Sequence, residues 1–312
     1  MKAIVIEQYG GKDQLIEKEV TTPTPGDGQI LIEMHATSIN PIDWKLREGY
    51  LKEMLPFEFP IILGWDAAGT VKEIGSNVSR FKKGDKVFSR PATTNKGTYA
   101  EYVIAEESLV TKMPENLEYG EAASVPLTGL TAWQCLFDFG GVKEGDKVLI
   151  HAGSGGVGTI AIQLAKNAGA YVATTASERN IEFLESLGAD EVINYKETDF
   201  KDILHDYDFV LDSLGGDIQE KSFEVLKNGG RLASIVAPPN EDLAKLKGVK
   251  AGFVWLEPNG EQLDQIRKLI EEGKVKPHVG HTFEFSEEGL RKAHELSESH
   301  HARGKIVIPI KA

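Results

Sequence analysis

The sequence predicts an α/β protein in two parts, a β-rich front followed by a doubly wound parallel sheet. Three observations predict it. A short apolar run, Val148-Leu149-Ile150, enters a glycine turn, Gly153-Ser-Gly155-Gly156-Val157-Gly158, and an amphipathic helix pattern begins directly after it. From about residue 121 onward, strand-like and helix-like segments alternate, as they do in a parallel sheet with crossover helices. Before residue 120, short apolar or alternating runs are punctuated by Gly and Pro turns.

Taken in order, residues 3–7 and 30–36 read as strands, joined through the turn-rich Thr-Pro-Thr-Pro-Gly at 22–26. Residues 71–74, 86–88 and 99–104 are further strand candidates. The near copies at 83–87 and 144–148 each read as a tight turn feeding a strand, not as a repeat. Residues 121–139 read as helical, interrupted by Pro126. After the strand at 148–150, the helix face is Val157, Ile160, Ala161, Leu164, Ala165 and Ala168. Residues 170–175 form the second strand, 178–187 a helix, 191–195 a strand, and 209–211 a strand ending at Asp212. Residues 218–226 read as a helix capped by Asn228-Gly229-Gly230, and 231–236 as a strand. Residues 261–272 form a long amphipathic helix and 274–285 a strand. Residues 286–299 form a helix with Ser286 as N-cap and Glu287 and Glu288 in its first turn, and 305–310 a closing strand. That last strand needs a sheet, so the end is expected to rejoin the front. The expected domains are 1–123 with 259–312, and 124–258, with the site in the cleft between them.

At 312 residues the chain is long enough for two domains. With 35 basic and 48 acidic side chains the net charge is −13, which argues against nucleic acid or an anionic membrane as the main partner. A single cysteine, Cys135, excludes an intrachain disulfide and a thiolate zinc cluster. No apolar run approaches membrane-span length, and residues 1–6 read as a first strand, not as a secretion signal. A reducing, cytoplasmic location is the expectation, in which Asn77-Val-Ser79 is a chance match to a glycosylation pattern.

Strand, glycine turn and helix form the entry to a dinucleotide site. Glycine lets backbone approach a pyrophosphate, and free N–H groups at the helix start favour its charge, so Gly155, Gly156, Val157 and Gly158 are the expected contacts. A nucleoside-triphosphate loop would need Gly-Lys-Ser/Thr, but Gly158 is followed by Thr159. Where an NAD site carries an acid after the second strand, this chain has Ala176 and Ser177, with Arg179 following. A hydroxyl and a guanidinium suit a 2′-phosphate, so NADP(H) is the expected cofactor. Glu178, shifted by one residue, would instead serve the ribose of NAD. His278 and His281 have helical ligand spacing, but Pro277 and a strand-like context spoil it. These two histidines, like His300 and His301, read as structural or surface groups.

Ser38-Ile-Asn-Pro-Ile-Asp43, Gly64-Trp-Asp-Ala-Ala-Gly-Thr-Val71, Pro126-Leu-Thr-Gly-Leu-Thr-Ala132, Ala152-Gly-Ser-Gly-Gly-Val-Gly158, Leu187-Gly-Ala-Asp-Glu-Val-Ile-Asn-Tyr195 and Ala302-Arg-Gly-Lys-Ile-Val307 together carry a likeness over nearly the full length. The chain resembles the medium-chain dehydrogenase/reductase superfamily and, within it, the zinc-independent quinone oxidoreductase group. The resemblance implies a GroES-like β-barrel domain completed by the C-terminus, plus a Rossmann domain. Zinc-dependent members carry an early Cys and then Gly-His-Glu, where this chain has Ser38, Asn40 and Trp65-Asp66. The four-cysteine lobe is also missing, so no metal ligand set is expected.

The implied reaction is hydride delivery from NADPH to a quinone or to the C=C of an α,β-unsaturated carbonyl. By position, Asn40 is expected near the nicotinamide, donating its amide to the acceptor oxygen, and Asp43 orients local backbone. Tyr50 is expected to hydrogen-bond or protonate the substrate carbonyl. Thr128 falls at the carboxamide end of the cofactor, Tyr195 by the adenosine phosphate, and Leu214, Ser234, Ile235 and Val236 beside the nicotinamide. Phe253 and Trp255 line the pocket or a dimer edge. Arg303 and Lys305 form a basic pair near the cofactor, and the resemblance implies a homodimer. Two other functions stay open: a non-catalytic NADPH-binding redox sensor, and an enoyl-thioester reductase, which the acidic composition supports little.

Overall fold

The computed structural model describes residues 1–311. The front of the chain forms β1 (Lys2–Ile6), β2 (Ile16–Glu19), β3 (Gln29–Ile39), α1 (Pro41–Arg47), β4 (Ile61–Ile62), β5 (Ala67–Ile74), β6 (Lys86–Ser89), β7 (Tyr102–Glu106), β8 (Val110–Lys112) and α2 (Tyr119–Ala123). Strand β3 organises this part. It pairs antiparallel with β5 and with β7, and bulges at Leu31/Ile32 and Met34/Ala36 bend it between partners. Ile30, Ile32 and Met34 face Val71, Val87, Val103 and Val110 in a core of aliphatic side chains. The sequence pattern misses α1 because its seven residues are too few for a helical period. Its start is set by Asn40 and Pro41, with the Asn40 N–H donating to Asp43 Oδ2 at 2.8 Å.

The middle of the chain forms α3 (Pro126–Trp133), a wide-turn helical segment (Gln134–Phe139), β9 (Lys147–Ile150), α4 (Gly156–Asn167), β10 (Tyr171–Ala176), α5 (Ile181–Ser186), β11 (Glu191–Asn194), β12 (Tyr207–Asp212), α6 (Gly216–Val225), β13 (Leu226–Ser234), α7 (Glu241–Lys247) and β14 (Lys250–Phe253). The six strands are parallel in the order β11-β10-β9-β12-β13-β14. From β9 the chain winds outward to β11 and then returns to β12 on the other side, so the topological switch point lies between the C-terminal ends of β9 and β12. The sheet is apolar on both faces, with Val148, Leu149, Ile150, Val210 and Leu211 fully buried. The glycine cap expected after α6 is corrected. The chain leaves α6 at Leu226 in extended conformation, and β13 starts there.

The end forms α8 (Gly260–Glu271), β15 (Val279–Thr282), α9 (Glu287–Glu298) and β16 (Lys305–Pro309). Strand β16 pairs antiparallel with β3, so the C-terminus does complete the front sheet. Ser286 caps α9 by accepting from the Gly289 N–H at 3.1 Å. Ile306 and Ile308 join Ile4, Ile6, Leu46, Trp65, Tyr99, Leu290 and Ala293 in a second core. The strand expected over 274–285 shortens to β15, because Gln163 takes Lys276 into the middle part through two backbone bonds of 2.8 and 2.9 Å. The compact units are accordingly Met1–Leu127, Pro258–Glu272 and 277 onward for the first, and Thr128–Glu257 with Gly273–Lys276 for the second. The boundary expected at 123/124 falls at 127/128.

Candidate active site

In the second unit, β9 ends at Ile150, and after His151 the chain enters the glycine turn through Ala152, held at φ 51°, a conformation that costs an L-residue about 1–2 kcal/mol. A Cβ on Gly153 would lie 2.1 Å from Thr174 Oγ1, and one on Gly158 would lie 2.6 Å from Ala152 O and from Gly153 Cα. These contacts are the physical demand for glycine. They fold the turn so tightly that α4 starts at Gly156 with Gly155 as a side-chain-free N-cap. The N–H groups of Gly156, Val157 and Gly158 therefore open the helix with no capping side chain, at the switch point of the sheet. That arrangement fits a pyrophosphate.

At the end of β10, Ser177 is half-buried and Glu178 and Arg179 are exposed. Asn180, not singled out from the sequence, is buried. Its Nδ2 donates to Ser177 Oγ at 3.2 Å and to Ser154 Oγ at 3.1 Å, tying the strand end to the glycine turn. Tyr195 follows β11 and is exposed, its N–H donating to Ala176 O at 3.2 Å. Thr128 is buried in the first turn of α3.

Asp212, at the end of β12, is the second group that sequence reasoning passed over. Its Oδ1 accepts from the Leu214 and Gly215 N–H groups at 3.0 and 2.9 Å. Its Oδ2 accepts from Ser234 Oγ at 2.7 Å and Gln219 Nε2 at 2.9 Å. Ser234 Oγ also accepts from the Val236 and Ala237 N–H groups at 3.3 and 3.4 Å. Ser234 is thus fully buried and spent on shaping the two strand ends, which leave the side chains of Leu214 and Val236 exposed, with Ile235 half-buried between.

In the first unit, the predicted Asn40 and Lys305 meet in one buried cluster around Asp66. Asp66 Oδ2 accepts from Ser38 Oγ at 2.6 Å and Asn40 Nδ2 at 2.7 Å, and Oδ1 accepts from the Leu127 N–H at 2.7 Å. Lys305 Nζ donates to Ile39 O at 2.7 Å and Asn40 Oδ1 at 2.6 Å and lies 3.6 Å from Asp66 Oδ2. The Asn40 amide is thus held at both ends, with one of its two Nδ2 protons on Asp66 and its Oδ1 on Lys305. Lys305 stands in this buried cluster, apart from the basic pair with Arg303 that the resemblance implies. Lys305 is buried in β16, a strand whose residues 305–308 are all buried, whereas Arg303 lies half-buried before the strand begins. Burial pulls the Lys305 ammonium below the ordinary lysine range, opposed by Asp66 and Asp43. One carboxylate, one amide, one hydroxyl and an ammonium are no zinc set, so the residues at the superfamily's ligand positions do not fit that metal. Among the described residues no three His, Cys, Asp or Glu side chains gather as metal ligands.

Asp43 is fully buried beside this cluster. Burial pushes its carboxyl up to about 7, against the hydrogen bonds from the Asn40 N–H and from Tyr99 OH at 2.7 Å. Tyr99 OH also meets His294 Nε2 at 3.1 Å, and His294 Nδ1 meets Arg47 Nη1 at 3.1 Å. Arg47 in turn bonds Glu298 at 2.9 Å and pairs with Glu48. This network ties α1 to α9. Tyr50, on the turn after α1, is 71% exposed and stands edge-on to Trp44 at 6.3 Å.

A doubly wound sheet with an open glycine turn at its switch point, in one chain with a β-rich unit closed by its C-terminal strand, defines a dinucleotide-dependent dehydrogenase or reductase. Residues 26–115 match the alcohol dehydrogenase GroES-like domain, and 187–308 match the zinc-binding dehydrogenase family. The quinone oxidoreductase of Coxiella burnetii superposes with a TM-score of 0.93 at 41% identity, covering 100% of this chain and 99% of that one. The chloroplast envelope quinone oxidoreductase homolog of Arabidopsis thaliana is 38% identical over 99% of this chain and 98% of its own length. The chloroplastic NADPH-dependent alkenal/one oxidoreductase of Arabidopsis thaliana is 35% identical, covering 99% and 79% respectively. The chain belongs to the quinone oxidoreductase group of the medium-chain dehydrogenase/reductase superfamily. Among the described residues no helix is long and apolar enough to cross a membrane.

Proposed function

We infer that the protein is an NADPH-dependent oxidoreductase that reduces quinones or the C=C bond of α,β-unsaturated carbonyls. The observation that carries this reading is the uncapped start of α4 at the switch point, with Ser177 and Arg179 after the adjacent strand. NADPH, when bound, supplies the hydride. The N–H groups of Gly156, Val157 and Gly158 hold the pyrophosphate, and Gly155 admits it by carrying no side chain. Ser177 and Arg179 take the 2′-phosphate, with Asn180 fixing the serine hydroxyl, and Tyr195 covers the adenosine end. Thr128, Leu214, Ile235 and Val236 flank the nicotinamide, Leu214 and Val236 as apolar walls that exclude water.

Tyr50 presents a phenol to solvent and hydrogen-bonds or protonates the acceptor oxygen. Asn40 acts as a positioning residue, locked between Asp66 and Lys305. Arg303 is retained as a cofactor-side charge and Lys305 is not. We further propose a homodimer, supported by β14, which stands at one edge of the parallel sheet, and by the half-exposed Trp255 just beyond it. A reducing, cytoplasmic compartment is proposed on the single, buried Cys135. The test is steady-state NADPH oxidation with a panel of quinones and enones. Turnover with NADPH favoured over NADH is expected; no turnover with any acceptor, or a preference for NADH, overturns the reading.

A further inference from the structure

His151 directly follows β9 and is almost fully buried, with its ring edge-on to Phe200 at 4.7 Å. Its Nε2 lies 2.9 Å from Ser222 Oγ, and its Nδ1 lies 3.1 Å from Thr175 Oγ1. Ser222 already donates its hydroxyl proton to Ile218 O at 2.6 Å, so its oxygen can only accept from Nε2, which must carry the imidazole proton. Nδ1 is then bare and accepts the Thr175 hydroxyl proton. Thr175 Oγ1 is thereby left as an acceptor, and the Ala152 N–H donates to it at 3.3 Å. Every donor in the chain from Ala152 N–H through Thr175, His151 and Ser222 to Ile218 O is thus assigned a direction. Burial holds the imidazole neutral by pushing its pKa down to about 4, with Asp212 opposing.

The chain ends on the strained residue that opens the glycine turn. Gly153 is held by the same threonine, its N–H donating to Thr175 O at 3.2 Å. We propose that His151 is a positioning residue for the cofactor, acting through Thr175 to hold Ala152 in its left-handed conformation and so aim the N–H groups of α4. This role rests on the reading of the glycine turn as the NADPH site. A histidine in the middle of an apolar strand end is thus neither a catalytic acid nor a core filler. It bridges a hydroxyl that donates to it and one that accepts from it, and of the imidazole forms the neutral one with its proton on Nε2 does this.

The experiment has two arms on the full chain. In the first, long-range ¹H–¹⁵N correlation of ¹⁵N-histidine-labelled protein, with the His151 signal assigned by its loss in His151→Phe, is expected to show Nε2 protonated and Nδ1 bare near neutral pH. A protonated Nδ1 overturns the proposal. In the second, NADPH is titrated into wild type, Thr175→Val, Thr175→Ser and Ser222→Ala. The valine, which keeps the shape but leaves the Ala152 N–H and Nδ1 unpaired, is expected to raise Kd and KM for NADPH about ten-fold with kcat changed by less than about two-fold. The serine restores wild-type binding, and Ser222→Ala loses affinity in the same direction but less. Unchanged affinity in Thr175→Val alongside normal wild-type binding overturns the positioning role alone. Failure of wild type to bind NADPH overturns the site reading and the role together, and the first arm still reports on the hydrogen-bond chain.

Discussion

Replacing Lys305 by Met removes the buried cation of the Asp66 cluster while keeping most of the side-chain volume. The ammonium donates to Ile39 O and Asn40 Oδ1 at 2.7 and 2.6 Å, and it stands 3.6 Å from Asp66 Oδ2 with almost no solvent exposure. Hydrogen bonds from a charged donor contribute about 1.5–3 kcal/mol each, and stripping the partner from a buried charge typically costs about 3–5 kcal/mol. Asp66 keeps three donors, from Ser38, Asn40 and the Leu127 N–H, so the carboxylate is not left bare. That places the expected loss at about 3–4 kcal/mol. Urea denaturation followed by far-ultraviolet circular dichroism measures it for wild type, Lys305→Met, Asp66→Asn and the double variant. The double variant is expected to recover at least about 1 kcal/mol relative to the sum of the single losses, because the charge that lacks a partner in one single variant is removed in the other. NADPH affinity of Lys305→Met is expected to stay within about two-fold of wild type. A loss below about 1 kcal/mol, or strict additivity, refutes the reading of Lys305 and Asp66 as one cluster.

Arg179→Ala should raise the NADPH dissociation constant at least about ten-fold and leave NADH nearly unchanged, since only the former carries the 2′-phosphate; equal losses on both would remove Arg179 from cofactor discrimination. Gly153→Ala forces a Cβ to within 2.1 Å of Thr174 Oγ1 and is expected to cost about 1–3 kcal/mol and weaken NADPH binding; a wild-type melting temperature and affinity would show that the turn tolerates the strain. Tyr50→Phe should lower kcat on an enone several-fold with KM for NADPH unchanged, and equal rates would leave proton supply to solvent. Burial, reinforced by the Arg47 charge, pushes the pKa of His294 down to about 3, below the unfolded value of about 6.5. Below that value the unfolded chain takes the proton first, so the stability from His294 is fully present above pH 6.5 and falls as pH drops towards 3, by up to about 1.4 kcal/mol per unit. His294→Gln should flatten the pH dependence of urea midpoints between pH 4 and 6.5, and an unchanged slope would contradict a neutral buried imidazole.

The sequence by itself determined the alternation of the second unit, the glycine turn at its first strand and the absence of a zinc ligand set. Each is a local property: a period of apolar residues, glycines at a required spacing, or a side chain of the wrong chemistry. The closing strand was expected to rejoin the front because it needs a sheet, and β16 does pair with β3. Tertiary structure decided the rest. Lys305 read as a surface or cofactor charge until β16 paired with β3 and carried it beneath Asn40 and Asp66. The long-range bonds of Asp66, Asp212 and Asn180 carry no local signal, because Asn40 and Ser38, Ser234, and Ser154 lie 26 and 28, 22, and 26 positions away in sequence. The tautomer of His151 follows only from which neighbouring hydroxyl is already committed. The glycine turn is legible from its own spacing, whereas a buried polar group is legible only once the groups that satisfy it have been brought to it.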